Sequence, residues 1–284
     1  MRTGLANISH LQSLPLALTL LVFLVFPIAV IVTVSFWDFD SYQLLPAFIF
    51  DNYHYLLSSA VTWQAYLNTF KYALITWAIT LLLGFTVAYY LAFHIRSIRM
   101  QTLLFLLCTI PFFTSNIIRM ISWIPLLGRN GLVNSGLQSA GLVDQPLEFL
   151  LYSDFSIVLA YVHLYTLFMV VPIFNTMMRI DRRLIEAARD AGAQTWQILL
   201  FVIVPLCKSG VLIGSIFVLT MVMGDFVTVR IMGGGLRASV GALIHNEISL
   251  LQYPAAAAGA VVLLATVLLM LVAMFRLVDI RKEL

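Results

Sequence analysis

Six apolar runs of about twenty residues, nearly free of charge, recur along the chain near 14–36, 69–93, 103–127, 155–177, 205–223 and 255–277. A helix rises about 1.5 Å per residue, so each run matches the roughly 30 Å hydrocarbon thickness of a bilayer. Lipid offers no partner to a backbone N–H or C=O, and a helix satisfies both within itself. The expected fold is an all-α polytopic membrane protein with six transmembrane helices, in a single domain over 1–284. Charged residues make up 10% of the chain, too few for a water-solvated surface when soluble domains carry about 25%.

A formal net charge of +3 over 284 residues gives no reason to expect nucleic acid as a partner; the lipid bilayer is the expected one. Cys108 and Cys207 lie among apolar residues at a spacing that suits neither a metal site nor a redox motif, so inert, buried thiols are expected and no metal site. The first run follows Arg2 in the manner of a signal peptide, but it is too long and no small-residue cleavage site follows it. It reads as a retained span.

Basic residues of short loops stay on the cytoplasmic side. Ten of them fall on one side: Arg2, Arg96, Arg99, Arg179, Arg182, Arg183, Arg189, Arg276, Arg281 and Lys282. Only Arg129, Arg230 and Arg237 fall on the other. Both termini are thus expected in the cytoplasm, as an even number of spans requires. The outer loops 128–153 and 224–254 mix Gly, Asn and Ser with apolar residues and should form an ordered rim. Trp37, Tyr42, Tyr53, Tyr55, Trp63 and Tyr66 fall on the outer side, where they suit an interfacial belt.

The stretch 179–203 interrupts the apolar pattern with Asp181, Arg182, Arg183, Glu186, Arg189 and Asp190 around the run Glu186, Ala187, Ala188, Ala191, Gly192. It predicts a short amphipathic helix with a small-residue face at Ala187, Ala188 and Ala191, and an Arg182–Glu186 pair at i, i+4. Gly192 ends or bends that helix, and Pro205 opens the next span at a position proline tolerates. Glu186-Ala187-Ala188, then Gly192, then Val202, Val204 and Pro205 resembles the EAA loop of type I, binding-protein-dependent ABC importer permeases. By that resemblance, 182–204 is the coupling segment that docks in a groove of a separate ATPase, with Glu186, Ala187, Ala188, Ala191, Gly192 and Pro205 as its contact residues.

A second stretch, from Ile110-Pro111-Phe112-Phe113 through Asn116 and Arg119 to Trp123, is similar to the third span of spermidine/putrescine-type permeases. Gly224-Asp225-Phe226-Val227-Thr228 and Met232-Gly233-Gly234 resemble the same group. The resemblance implies a small polar solute of polyamine type, with Arg119, Asp225, Asn116 and Trp123 as residues of the translocation pathway. An opine, an amino-acid derivative or an aminophosphonate is the alternative solute. Arg119 is an intramembrane charge, and two roles fit it: contact with an anionic part of a solute, or structural pairing with carboxylates or helix-end carbonyls. An unpaired Arg119 repels a cationic polyamine, so that solute requires a neutralising partner for it. Asp225 either meets a cationic amine or is solvated. His245 and Glu247, in the outer loop, suit receptor docking or plain exposure equally.

No phosphate loop occurs, since Gly233 to Gly235 is followed by Leu236 and Arg237. The chain is expected to bind no cofactor and to be no enzyme, with ATP and Mg held by a partner. By resemblance, the partners are an ABC ATPase dimer, a second permease subunit, expected as a heterodimer, and an external solute-binding protein, in a bacterial inner membrane. An ion-coupled secondary transporter is disfavoured because mid-span carboxylates and an inverted repeat are missing from the sequence. An intramembrane serine protease has only His163 and Ser215 to offer, without a Gly-x-Ser-x-Gly around the serine.

Overall fold

A computed structural model describes residues 14–40 and 43–277. Arg2, Arg281 and Lys282 of the basic tally, and Tyr42 of the aromatic set, lie outside the described residues. Four helices are long and apolar enough to cross a bilayer: Leu14–Val34, Ala60–His94, Glu148–Met177 and Tyr253–Arg276. Two bent pairs, Ile98–Phe113 with Asn116–Ser139 and Thr195–Leu206 with Lys208–Gly224, bring the total to six when each pair is counted as one span. The second helix begins at Ala60, well ahead of the apolar run at 69, because nothing in 60–68 breaks a helix.

The third segment differs from the straight helix expected over 103–127. Its two halves meet at 93°. Pro111 has no N–H to give and tightens Ile110–Phe113 into a 3-10 turn; Thr114 then turns extended, at φ −108 and ψ 140, and the ladder stops. The fifth segment bends by 67°. Pro205, expected to open this span, sits instead in the short turn Val204–Leu206, and the bend follows at Cys207, at φ −97 and ψ 4. Proline forfeits a ladder bond and clashes with the carbonyl four residues earlier, and the π-turn Leu199–Ile203 directly before it gives the slack.

The chain forms two compact units. One joins the segment up to Trp63 with Leu243–Ala265. In it, Phe36, Phe48, Phe50 and Tyr53 form an aromatic cluster, Phe36 and Phe48 stacking at 4.8 Å. The Asn52 amide donates to the carbonyls of Ser35 and Trp37, at 3.1 and 2.9 Å, and so caps the carbonyls released where the first helix ends. A two-stranded antiparallel ribbon pairs Asp38–Asp40 with Gln43–Leu45. The Leu14–Val34 helix buries none of its apolar length within the chain, which is tolerable because lipid is its solvent.

The other unit joins Gln64–Ala242 with the segment from Thr266. Its central element is the helix Asp154–Met177, whose Ile157, Ala160, Tyr161, Met169, Ile173 and Met177 are fully or almost fully buried. The helix starts cleanly: Ser153 and Ser156 exchange side-chain to backbone hydrogen bonds in a capping box. Helix Lys208–Gly224 packs along it, and small residues set the distance. A Cβ on Gly214 would lie 2.7 Å from the Met169 sulfur, and one on Gly84 would lie 2.8 Å from Met169 Cγ. Glycines on two helices thus make room for one methionine, the close backbone approach that drives helix association in lipid. The loop 128–153 is ordered as expected. The amide of buried Asn134 donates to the Gly128 carbonyl at 3.0 Å and accepts from Leu147 N–H at 2.8 Å.

Candidate functional site

The segment that interrupts the hydrophobic pattern folds as the helix Arg182–Asp190. Asp181 caps its start, accepting from Arg183 N–H at 2.9 Å. Gly192, at φ +86, ends it: its N–H bonds to the Arg189 carbonyl at 2.9 Å, while Ala193 N–H reaches back to Ala188 at 3.0 Å. This double closure is a Schellman motif, and its left-handed position is the one that glycine fills without a Cβ penalty. The chain then re-enters a helix at Thr195, where Gln194 N–H bonds to Gln197 Oε1 at 2.7 Å. Asp181 went unassigned in the sequence reading, although an Asp directly before a helix is a capping signal.

Successive residues of a helix advance by about 100°, so Leu184, Ala187 and Ala191 share one side while Arg182, Glu186 and Arg189 share the opposite one. Ala187, Ala191 and Leu184 are exposed; Ala188, at the edge of that strip, is half-buried. The anticipated Arg182–Glu186 pair does not form. Arg182 instead donates to the Ala92 carbonyl at 3.4 Å, in the π-turn Tyr90–His94 that ends the second span. Carbonyls at a helix end lack ladder partners and are open to a donor, while an exposed carboxylate gains little from pairing in water.

A second constellation lies on the helix Asp154–Met177 and its neighbours. Arg119 is buried and donates to the Asn116 Oδ1 one turn before it. Among the described residues its Nε has no hydrogen-bond partner, and it makes no ion pair. It lies within electrostatic reach of Tyr165 and His163. Tyr165 donates to Asp225 Oδ2 at 2.8 Å, and Thr228 donates to the same carboxylate through both its N–H and its hydroxyl, each at 2.8 Å. Asp225 is therefore not simply solvated. Trp123 donates its indole N–H to His163 Nδ1 at 3.0 Å. The structure thus gathers Arg119, Asn116, Trp123 and Asp225 around His163 and Tyr165. Tyr165 was not singled out from sequence, because its partner Asp225 stands 60 residues away; Thr228, three residues after Asp225, was named only as part of a motif.

The protease reading finds no support in this geometry: Ser215 Oγ accepts from the Trp77 indole at 2.8 Å, and His163 is held by Trp123. Cys207 is buried and Cys108 half-buried, both as free thiols. At the end of the unit predicted to face outward, Asp154 accepts from Lys71 and from Tyr72 Oη at 2.7 Å, and forms an ion pair with Arg237 Nε at 3.3 Å. One carboxylate thereby ties the second span, the fourth span and the loop after the fifth.

Residues 80–281 match the family described as binding-protein-dependent transport system inner membrane component. The spermidine/putrescine transport system permease protein PotB of Escherichia coli K12 is 30% identical over 259 residues, covering 90% of this chain and 93% of that protein. PotB of Haemophilus influenzae is 31% identical over 234 residues, covering 80% of this chain and 79% of that protein. The fold superposes on a chain of a bacterial alginate ABC transporter, crystallised with an alginate pentasaccharide-bound periplasmic protein, at a TM-score of 0.75 and 17% identity, covering 97% of this chain and 95% of that one.

Proposed function

We propose that this chain, which belongs to the family of binding-protein-dependent transport system inner membrane components, lines the path of a small cationic solute and couples it to a separate ATPase. The observation that carries the coupling half is the capped helix Arg182–Asp190, closed at both ends and presenting exposed Leu184, Ala187 and Ala191. Small side chains let a foreign surface approach the backbone closely, and the closed ends keep the helix from fraying when it is pushed. Closure of an ATPase dimer would move this helix as a rigid lever, and the spans joined to it would alternate access. ATP and Mg belong to that dimer in this reading, and this chain supplies no catalytic group.

The polyamine class of solute rests on the similarity to the two PotB proteins over most of the chain. The cluster around Tyr165 is compatible with it, because Tyr165 bonds to Asp225 within electrostatic reach of Arg119 and the two formal charges are opposite. Arg119 also supports a second reading, in which a solute bearing a carboxylate or phosphonate completes its free Nε. We place the ten basic residues and both termini in the cytoplasm, a second permease subunit beside this one in a heterodimer, and a solute-binding protein at the opposite face.

Two measurements test this. A cysteine introduced at Ala187 in native membranes should crosslink to a nucleotide-hydrolysing subunit; failure to capture one from either Ala187 or Ala191 sinks the coupling role. Uptake of labelled putrescine into vesicles should be vanadate-sensitive and should fall when unlabelled spermidine is added. Competition by an opine or aminophosphonate, with none from spermidine, selects the second solute reading.

A further inference from the structure

The side of the Arg182–Asp190 helix turned away from Ala187 and Ala191 borders a cavity of about 470 Å³. Arg182, Glu186 and Arg189 line it from this helix, and His94 and Arg96 line it from the end of the second span. Three guanidiniums therefore share the space with one carboxylate, and among the described residues none of these four groups is in an ion pair. Glu186 offsets part of this charge; the excess repels, weakened by water because all four groups are exposed, and a further anion among them would relieve it. Tyr89 and Phe93 also line the cavity, at the end of a membrane helix, the level at which aromatic rings meet lipid headgroups. Ile198 and Ile203 add an apolar part to the lining.

We infer that this cavity binds the phosphate of an anionic phospholipid headgroup, held by Arg96, Arg182 and Arg189. Guanidinium forks match phosphate oxygens two at a time, and basic pockets between membrane helices on the inner side are built for such headgroups. The volume decides against the other anion a neighbour offers. One acidic side chain of an ATPase fills a small part of 470 Å³ and has no use for apolar walls, whereas a glycerophosphate with the start of its acyl chains uses both. The bound lipid would brace the rear of the helix whose front is exposed, so the coupling segment's position would depend on membrane composition. The site rests on the cytoplasmic placement proposed above, and on neither the solute nor the motor.

The test is native mass spectrometry of the full chain, purified with the subunits that accompany it and presented with phosphatidylglycerol or phosphatidylcholine. Wild type should retain phosphatidylglycerol in preference to phosphatidylcholine. Arg96→Gln should weaken that retention about tenfold, the equivalent of one charge-assisted hydrogen bond. Arg99→Gln removes the same charge from the same connection but lies outside this cavity, and should retain the lipid as wild type does. Arg96→Lys, which keeps the charge and the fold but loses the fork, should fall between. Equal retention by the Arg96 and Arg99 variants overturns the site. Displacement of the lipid by millimolar inorganic phosphate, with the same dependence on Arg96, overturns a lipid in favour of free phosphate. A photo-crosslinker at Ile185 that captures protein and no lipid overturns it in favour of an acidic partner surface.

Discussion

The Tyr165 phenol donates to the Asp225 carboxylate at 2.8 Å and so fastens the fourth span to the turn that ends the fifth. Tyr165 is 5% exposed and Asp225 half-buried, which makes the bond a part-buried one to a carboxylate. Tyr165→Phe should cost about 1.5–3 kcal/mol, the range for hydrogen bonds to charged groups. Thermal unfolding in detergent should show a lower midpoint for Tyr165→Phe than for wild type. An unchanged midpoint means that Thr228 alone holds the carboxylate.

Gly214 and Met169 mark one close approach of the fourth and fifth spans. Gly214→Val forces a branched side chain toward the Met169 sulfur and should destabilise by about 1–3 kcal/mol through overpacking. Adding Met169→Ala should recover part of that loss, because the two changes share one space. Strict additivity in the double-mutant cycle argues that the helices shift apart instead.

Gly192 has open space around it, so only its backbone angle resists substitution. Gly192→Ala should cost about 1–2 kcal/mol, the penalty of a left-handed L-residue, and Gly192→Asn distinctly less. Hydrogen exchange of the Gly192 and Ala193 amides, which close the helix end, should quicken in the alanine variant. If exchange is unaltered, the motif is not what holds that end.

Burial lifts the Glu247 carboxyl above the ordinary glutamate range in the helix Val240–Ser249. Its folded pKa thus exceeds the unfolded value of about 4.3, and the fold binds the proton more tightly than the unfolded chain does. The stability this contributes is complete below about pH 4.3 and is lost as pH rises through the folded pKa. Glu247→Gln should flatten that part of the stability-versus-pH profile, followed by thermal unfolding across mildly acidic pH. A slope unaffected by the substitution assigns it to another group.

Membrane residence, the six apolar segments and the interrupting helix Arg182–Asp190 were legible from the chain alone, because each rests on local periodicity, capping residues and run length. The glycine elbow was legible for the same reason: a helix end needs one left-handed residue, and Gly192 stands where it is needed. Only the tertiary structure decided that the third segment turns by 93°, that Arg182 prefers the Ala92 carbonyl to Glu186, and that Asp154 gathers Lys71, Tyr72 and Arg237. It alone also bonded Tyr165 to Asp225 within electrostatic reach of Arg119. Those partners stand 60 to 90 residues apart along the chain in the cases of Tyr165–Asp225 and Arg182–Ala92. Spacing along one helix states which side chains share its face, but which neighbour that face meets depends on how whole helices pack, and no local pattern encodes it.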